Sequence, residues 1–393
     1  MIKDIQVCSI TFTEKCNLAC KYCYVVEENV GFHKEKEKVI TKEILDQTIK
    51  FIINNIALTC KTLRIDLYGG ECLLYPEELK YFIENFFIQG KNLNNHIDMK
   101  IFTNGTTLTE DMLKWTYQYY PKLDYSFSVD GPECTQNLTR VFKDGSGSHD
   151  KVLENFELYK NIYNVNLNDE WNEFVYNRSV FTLSPDNISY FIEALQEFKR
   201  LGVKRYHTFL CKDDIWSEED IKLYKKVRKE STELLIEEFP KTGMMDQHLI
   251  QLISRFRYKF PNQSNPGHCS SGKQLMSITQ DGDIYPCHRL YQGSRAEQFK
   301  IGNIWDGIDS NHPYYATLSN RLLKHFKECK NCKYKMIEYC DGPCTSACFE
   351  STGSVFKIIP SVCELLYIDY ISTNKLYFKF KDDEKFNNLF RKF

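Results

Sequence analysis

The cysteines of this chain have the clearest chemical meaning, because most of the 16 fall into two clusters. Cys16, Cys20 and Cys23 lie within eight residues near the start, and eight more lie from Cys269 to Cys363. Thiolates two or three residues apart can converge on one centre, so this spacing indicates metal or iron–sulfur ligands rather than disulfides. The remaining five fit no spacing and are predicted to be buried thiols: Cys8, Cys60, Cys72, Cys134 and Cys211.

The first cluster, Cys16, Cys20 and Cys23, has the spacing CxxxCxxC. Three thiolates can hold three irons of a [4Fe–4S] cube and leave the fourth iron open to a ligand, whereas a cube with four protein ligands normally carries only electrons. A zinc knuckle, or a transfer cluster with a distant fourth ligand, is the alternative. The position of the loop directly after a predicted strand favours the open cluster.

The elements that must position these cysteines alternate between strand and helix from Ile5 to about Leu210. Short β-branched and aromatic segments bounded by turn formers predict the strands Ile5–Phe12, Leu63–Tyr68, Asp98–Thr103, Asp124–Val129, Arg178–Leu183 and Lys204–Leu210. Apolar periodicity predicts the helices Lys42–Ile56, Pro76–Ile88, Glu110–Tyr119, Asp150–Tyr163, Asp186–Leu201 and Ser217–Glu238. Six βα units predict a parallel α/β sheet, curved or doubly wound, with its reactive site at the carboxyl ends of the strands.

The character of the chain changes from Pro261, where Gly, Pro, Asn and Cys dominate and long periodic segments are absent. Bound metal clusters would act as the core of this region. We therefore predict a core domain at 1–215, a helical connector at 216–265, an auxiliary-cluster domain at 266–370 and a tail at 371–393. The tail alternates aromatic and charged residues, which predicts a strand or helix packed on the body.

Composition excludes several classes of partner. The 393 residues carry 51 Lys and Arg against 53 Asp and Glu, a net charge of -2, so no basic field for nucleic acid or an anionic membrane is expected. No apolar run approaches a membrane span, and the first residues lack the apolar core of a signal peptide. These features predict a cytoplasmic protein.

The cysteine loop, with aromatic Tyr22 before Cys23 and Tyr24 after it, resembles the signature of the radical S-adenosylmethionine (SAM) superfamily. The resemblance implies a partial (β/α)6 TIM-like barrel. It also implies that the open iron chelates the amino and carboxylate groups of SAM. One electron then cleaves SAM to methionine and a 5′-deoxyadenosyl radical, which abstracts hydrogen from an unactivated carbon.

Further segments resemble the SAM-binding motifs of this superfamily, in the same order. Gly69, Gly70 and Glu71 would receive the SAM amino group, although Cys72 stands where a proline is usual. Asn104 would lie in a turn beside the ligand, Ser128 and Asp130 would face its carboxylate and ribose, Arg140 would approach the carboxylate, and Tyr22 would stack near the adenine. Gln136 and Asn137 replace a His-Asp pair and are given no catalytic role.

The second cysteine cluster resembles the SPASM extension of radical SAM enzymes, which holds two auxiliary [4Fe–4S] clusters. The resemblance assigns Cys269, Cys287 and Cys344 to the first and Cys329, Cys332, Cys340 and Cys363 to the second. Cys348 is an extra cysteine, predicted to complete the first cluster; as an ordinary buried thiol it would leave one iron open to a substrate thiolate. A pair of structural zinc sites is the alternative for the whole domain.

The resemblance implies a peptide-modifying oxidoreductase, and two subfamilies compete. Anaerobic sulfatase maturases, which make formylglycine, place an Asp general base where this chain has His288. The Cys-His-Arg context instead resembles maturases of ribosomally made peptides, with thioether crosslinks as the leading prediction. His288 and Arg289 are candidates for proton removal or peptide binding. Carbon–carbon crosslinking, peptide splicing, small-molecule dehydrogenation and a simple iron–sulfur electron carrier remain alternatives.

The implied partners are a precursor peptide and an electron donor such as a flavodoxin or ferredoxin. Only fifteen residues precede Cys16, so no leader-binding module is expected before the barrel. Leader recognition would then need the 216–265 connector, the tail or a separate leader-binding protein. Addition of the peptide as an extra strand is one possible mode.

Overall fold

The computed structural model describes residues 5–23, 38–94, 96–121, 123–163, 179–211, 216–257, 269–291, 296–319, 325–334, 340, 342 and 344–390. Tyr24, Arg178, the end of the predicted connector at 258–265 and the last three residues of the tail lie outside the described residues. The chain divides into two compact units. Unit 1 is Met1–Ser128, Arg140–Asn164 and Ser270–Arg321, and unit 2 is Val129–Thr139, Val165–Cys269 and Leu322–Phe393.

Strands and helices alternate through the first half of the chain. The strands are β1 (Val7–Thr11), β2 (Thr62–Tyr68), β3 (His96–Thr103), β4 (Asp124–Ser128), β5 (Ser179–Leu183), β6 (Arg205–Leu210), β7 (Met245–Asp246), β8 (Leu275–Ile278), β9 (Asp283–Tyr285), β10 (Gly302–Asn303) and β11 (Gly307–Ile308). The α-helices are α1 (Lys42–Asn55), α2 (Pro76–Gln89), α3 (Glu110–Tyr119), α4 (Glu133–Thr139), α5 (His149–Ile162), α6 (Phe191–Arg200), α7 (Glu218–Thr242), α8 (Gln247–Arg257), α9 (Pro313–Ser319), α10 (Thr345–Thr352), α11 (Pro360–Phe380) and α12 (Glu384–Asn388). The six predicted βα units are therefore present.

Unit 1 is built on one sheet in which β1 is central. β1 pairs in parallel with β2 on one side, and β3 and β4 continue the parallel order. On its other side β1 pairs in parallel with β8, and β9, β10 and β11 follow as antiparallel strands. The cysteine-rich part of the sequence thus contributes strands directly beside β1, which the sequence did not indicate.

One face of this sheet is apolar and covered by helices. Phe12, directly after β1, packs edge to face on Phe82 of α2, with ring centroids 5.9 Å apart. Phe127 of β4 packs in the same way on Phe156 of α5, at 5.3 Å. All four aromatic side chains are buried, so this face contributes hydrophobic stabilisation to unit 1.

The helices begin at residues that the sequence marks as starts. Thr41 accepts a hydrogen bond from Ile44 N at the start of α1, and Pro76 occupies the first turn of α2. Ser217 and Asp220 form a reciprocal capping box at the start of α7, which ends at Gly243 in the left-handed conformation.

Unit 2 contains the parallel strands β5, β6 and β7 and most of the later helices. The expectation that long helices are absent after Pro261 is wrong, because α11 has 21 residues. Its apolar face buries Leu365 and Leu376, and the short α12 follows it, so the tail is helical rather than a strand. Among the described residues, no helix has the length and apolarity needed to cross a membrane.

Candidate active site and cluster-binding cysteines

The loop that carries Cys16, Cys20 and Cys23 follows β1 in unit 1 and is pinned at its centre. Leu18 forms an antiparallel bridge with Phe142, and Ala19 N donates to the Val141 carbonyl at 2.8 Å. All three thiols are half-buried. The loop is therefore held against the segment at Val141 and Phe142 by main-chain contacts that do not involve the thiols.

The turn after β2 hydrogen-bonds to the residues that lead into this loop. Gly70 N donates to the Thr13 carbonyl at 2.8 Å, and Glu71 N donates to the Lys15 carbonyl at 2.9 Å. A Cβ on Gly69 or Gly70 would lie 2.4 Å from a carbonyl oxygen of this segment. Both glycines are required by this close backbone approach, a role that the sequence did not reveal.

The carboxylate of Glu71 is fully buried at the ends of β2 and β3. It accepts hydrogen bonds from Leu73 N at 3.1 Å, Thr103 Oγ1 at 2.9 Å and Asn104 N at 2.6 Å. Burial raises the pKa of Glu71 to about 7, although these donors favour the charged form. A buried carboxylate whose protein donors are all neutral can accept further N–H hydrogen bonds from a bound amino group.

The side chain of Asn104 approaches the first cysteine instead of pointing away from the loop. Its Nδ2 lies 3.6 Å from Cys16 Sγ, and Leu18 N donates to the same sulfur at 3.4 Å. Burial and the Glu71 carboxylate raise the pKa of Cys16 to about 11, and these two N–H groups oppose that shift. N–H donors and a thiol in one buried turn suit a ligated thiolate, which needs the same stabilisation.

Arg140 and Tyr22 meet beside the second cysteine. The Arg140 guanidinium lies over the Tyr22 ring, 5.2 Å from its centroid, and its Nη1 lies 4.0 Å from Cys20 Sγ. Ser148 Oγ donates to the Arg140 carbonyl at 2.7 Å and fixes the backbone there. Ser128, also in unit 1, is half-buried at the end of β4. Arg140 thus contacts two residues of the cysteine loop, Tyr22 and Cys20, and the predicted contacts of Arg140 and Tyr22 with SAM stay predictions.

Asp130 belongs to unit 2 and is fully buried. Its carboxylate accepts hydrogen bonds from Thr139 Oγ1 at 2.9 Å and from Thr182 N at 3.3 Å. Gln136 Oε1 accepts a hydrogen bond from Asp130 N at 2.7 Å, a structural contact within the same turn. Asp130 therefore orders the segment after β4, and its predicted contact with SAM stays a prediction.

His288 lies at the end of β2, although it is 220 residues from Tyr68 in the chain. The two rings are tilted, with centroids 5.1 Å apart. Burial, with the cations Arg289 and Arg64 nearby, lowers the pKa of His288 to about 4. Arg289 N donates to Cys287 Sγ at 3.5 Å, so the segment after β9 brings a cysteine and a neutral imidazole to the turn that begins at Gly69.

Four cysteines of unit 2 are close enough to influence each other electrostatically. Burial and the neighbouring thiols Cys340, Cys329 and Cys332 raise the pKa of Cys363 to about 12. Cys363 lies in the first turn of α11, and Gly342 N donates to Cys340 Sγ at 3.3 Å. The four thiols match the predicted second auxiliary set and provide the donor atoms that an iron–sulfur cluster requires.

The predicted first auxiliary set is distributed over both units. Cys287 is buried after β9 in unit 1, and Cys269 is half-buried in unit 2. Cys344 caps the start of α10, and Cys348 lies one turn later, where its N–H donates to the Cys344 carbonyl at 2.9 Å. Cys348 is fully buried, as both its predicted ligand role and an ordinary core thiol would require.

The other cysteines divide by burial. Cys8, Cys72 and Cys211 are buried, as predicted, and Cys60 is half-buried. The prediction for Cys134 is wrong, because its side chain is exposed in the first turn of the short α4. Among the described residues, no three His, Cys, Asp or Glu side chains are arranged to hold a single metal ion. A cluster takes one thiolate on each of several irons, so it does not need convergence on one point.

Two family matches cover the segments that hold these residues. Residues 10–169 match the radical SAM superfamily. Residues 269–345 match SPASM, an iron–sulfur cluster-binding domain, and Cys348 and Cys363 follow the matched segment. The predicted cofactors, SAM and [4Fe–4S] clusters, are confirmed by these two matches.

Two curated relatives are similar over most of the chain. The serine-type anaerobic sulfatase-maturating enzyme of Bacteroides thetaiotaomicron is 23% identical over 381 residues, 90% of this chain and 85% of that enzyme. The antilisterial bacteriocin subtilosin biosynthesis protein AlbA of Bacillus subtilis is 24% identical over 341 residues, 84% of this chain and 65% of that protein.

A solved structure has the same fold. Native anSMEcpe with bound AdoMet superposes with a TM-score of 0.73 at 21% sequence identity, covering 98% of this chain and 100% of that one. The predicted fold class, an α/β partial barrel followed by a cysteine-rich domain, is confirmed by this likeness together with the family matches.

Proposed function

Because the chain is a member of the radical SAM superfamily with a SPASM domain, we propose that it oxidatively modifies a ribosomally made precursor peptide. The proposed product is a thioether crosslink between a cysteine sulfur and a carbon atom. Cys16, Cys20 and Cys23 would hold the SAM-binding cluster, and Glu71 would receive the SAM amino group. When bound, SAM and its reduced cluster supply one-electron removal of hydrogen from an unactivated carbon.

The polar face of the sheet in unit 1 supports a polar substrate. Strands of a parallel sheet are normally apolar on both faces, because both faces are covered. Opposite the helices, however, β2 carries Arg64 and Asp66. Their register neighbours on β3 are Asp98 and Lys100, and Lys100 in turn lies beside Asp124 of β4. Arg64 binds Asp66 through Nε at 2.8 Å and Nη2 at 3.0 Å, and Lys100 binds Asp124 at 2.9 Å. Two ion pairs without net charge suit the amide groups of a peptide.

The observation that favours a thioether product is the position and protonation state of His288. Its lowered pKa keeps the imidazole neutral at neutral pH, so the ring can accept a hydrogen bond from a substrate group. A neutral imidazole beside Tyr68 and directly after Cys287 would orient a substrate thiol while the carbon–sulfur bond forms, with the thiol proton passing to solvent and the remaining electron to an auxiliary cluster. Arg289 would help to bind the peptide.

Formylglycine formation is the second candidate, because a sulfatase-maturating enzyme is similar over 90% of this chain. Both relatives are named for work on polypeptides, a sulfatase in one case and a bacteriocin in the other. This shared feature favours a peptide substrate over a small molecule. The proposed electron donor is a flavodoxin or ferredoxin, and a separate protein would present the peptide leader.

The experiment is an anaerobic reaction of the reconstituted enzyme with SAM, reductant and the short cysteine-containing peptide encoded nearest its gene. A sulfatase-type cysteine peptide is assayed in parallel. Mass spectrometry before and after thiol alkylation distinguishes the products. Thioether formation removes two hydrogens and makes the thiol resistant to alkylation, whereas formylglycine formation removes the sulfur itself.

Two variants test the role of His288. His288→Gln keeps the approximate size of the side chain and removes the ring acceptor, so crosslinking should fall about tenfold while SAM cleavage persists. His96→Gln, at the exposed start of β3, is the matched control and should keep full activity. Loss of two hydrogens with the thiols still free would replace the thioether by a carbon–carbon crosslink. Cleavage of SAM without any change in either peptide would contradict both candidates.

A further inference from the structure

Three side chains form a closed hydrogen-bond ring between the cysteine loop and the end of β3. We call Asn17, Asn104 and Thr106 the asparagine clamp. Asn17 follows Cys16 directly in the cysteine loop, and the other two belong to the turn after β3. None of the three has a role in the proposed crosslinking reaction, although Asn104 was expected beside SAM.

The amide of Asn104 uses all of its hydrogen-bonding capacity within the protein. Its Nδ2 donates to Cys16 Sγ at 3.6 Å and to Asn17 Oδ1 at 2.9 Å. Its Oδ1 accepts from Thr106 N at 2.9 Å and from Thr106 Oγ1 at 2.7 Å. A primary amide offers two donors and two acceptor lone pairs, so these four bonds leave no group for a further ligand.

Asn17 closes the ring. Its Nδ2 donates to Thr106 Oγ1 at 2.7 Å, so the hydroxyl accepts from Asn17 while it donates to Asn104. Asn104 and Thr106 are 7% and 6% exposed. Hydrogen bonds arranged in a buried ring polarise one another, and the loss of one member leaves the other two with unpaired polar atoms.

The turn after β3 is itself fixed on the sheet and on α5. Gly105 N donates to Thr103 Oγ1 at 3.0 Å, and Asn155 Nδ2 of α5 donates to the Gly105 carbonyl at 2.7 Å. Asn104 N is held by Glu71 Oε2 at 2.6 Å. The hydrogen bonds of the clamp therefore hold the cysteine loop in a fixed position relative to β3.

We propose that Asn17 and Thr106 are positioning residues that, through Asn104, orient the Cys16 thiolate and keep one N–H donor on its sulfur. The proposal rests on ligation of the SAM-binding cluster by Cys16. An N–H donor to a ligand sulfur stabilises the more negatively charged reduced cluster. The clamp therefore raises the midpoint potential of this cluster and slows its loss from the protein.

The test compares Asn17→Ala and Thr106→Val with the control Asn55→Ala in the reconstituted full chain. Asn55 donates only to the Phe51 carbonyl of its own helix, α1. The readouts are iron and sulfide per chain, the rate of iron release to a chelator, and an anaerobic redox titration followed by electron paramagnetic resonance. The signal that changes on addition of SAM reports the SAM-binding cluster, and the other signals serve as internal references.

We expect both clamp variants to shift the SAM-responsive signal to a more negative midpoint potential and to release its iron about tenfold faster. The other signals and the Asn55→Ala variant should match the wild type. Asn104→Asp, which exchanges the donor for a carboxylate beside the thiolate, should show the largest negative shift. If this variant fails to fold, Thr106→Val tests the proposal on its own, because it removes only a hydroxyl group. An unchanged potential and iron-release rate in Thr106→Val and Asn17→Ala would overturn the proposal, even if the enzyme modified no peptide.

Discussion

At the scale of single residues, burial changes the protonation of Glu71 and so affects how this side chain would bind SAM. The carboxylate is fully buried, and its three hydrogen-bond donors, Leu73, Thr103 and Asn104, are neutral. Burial raises its pKa to about 7, so a large fraction of the side chain is protonated near neutral pH. The N–H groups of a bound SAM amino group would favour the carboxylate and release this proton, which couples the affinity for SAM to pH.

We predict that SAM binds more tightly as the pH rises towards 7 and that the affinity levels off above it. Below this pKa the affinity should change by up to about tenfold per pH unit, because binding then requires loss of one proton. Isothermal titration calorimetry between pH 6 and pH 8 measures the effect. Glu71→Gln should bind SAM more weakly, with little dependence on pH. A similar pH dependence in that variant would show that another group is responsible.

At the scale of elements, a buried charge network joins helices of unit 2. Arg228 of α7 donates to Asp369 of α11 at 2.6 Å and to Asp246 of β7 at 2.8 Å, and all three side chains are fully buried. Tyr224 and His248 also bind Asp369. Burial alone would raise the pKa of Asp369, but Arg228 and His248 hold it well below its usual range. The carboxylate therefore stabilises the fold above its ordinary pKa, and this contribution decreases as the pH falls through the folded-state pKa.

Asp369→Asn should lower the free energy of unfolding by about 1–3 kcal/mol at neutral pH, because Arg228 would keep Asp246 as its charged partner but would lose the charged acceptor at Asp369. Glu233→Gln is the matched control, since Glu233 and Lys375 form an exposed ion pair between the same two helices. Its cost should be less than about 1 kcal/mol. Urea denaturation followed by circular dichroism measures both. Equal costs would mean that the buried network contributes no more than a surface pair.

At the scale of the whole molecule, the question is how the cysteine-rich segments are stabilised. Cys329, Cys332, Cys340 and Cys363 approach one another in unit 2, although the segment 325–334, the position 340 and the start of α11 supply them. Several thiolates close together are unfavourable without a metal, as the raised pKa of Cys363 shows. We propose that ligation of the second auxiliary cluster by these four cysteines supplies folding free energy to this part of the chain.

Removal of iron by an anaerobic chelator should therefore lower the melting temperature and increase hydrogen exchange in residues 325–363. Cys363→Ala should lose the iron of one cluster and show the same local exchange. Cys134→Ala, at an exposed cysteine, is the control and should keep its iron and its melting temperature. Full iron content in Cys363→Ala would exclude this residue as a ligand.

The sequence by itself determined the chemistry and the order of the elements. Cysteine spacing indicated the clusters, apolar periodicity predicted the six βα units, and Pro76 marked the start of a helix, because each of these signals is local in the chain. The tertiary structure decided which distant residues meet: β8 beside β1, His288 beside Tyr68, and Asn17 in a ring with Thr106. Such contacts depend on strand pairing and on packing between segments far apart in the chain, which no local pattern encodes.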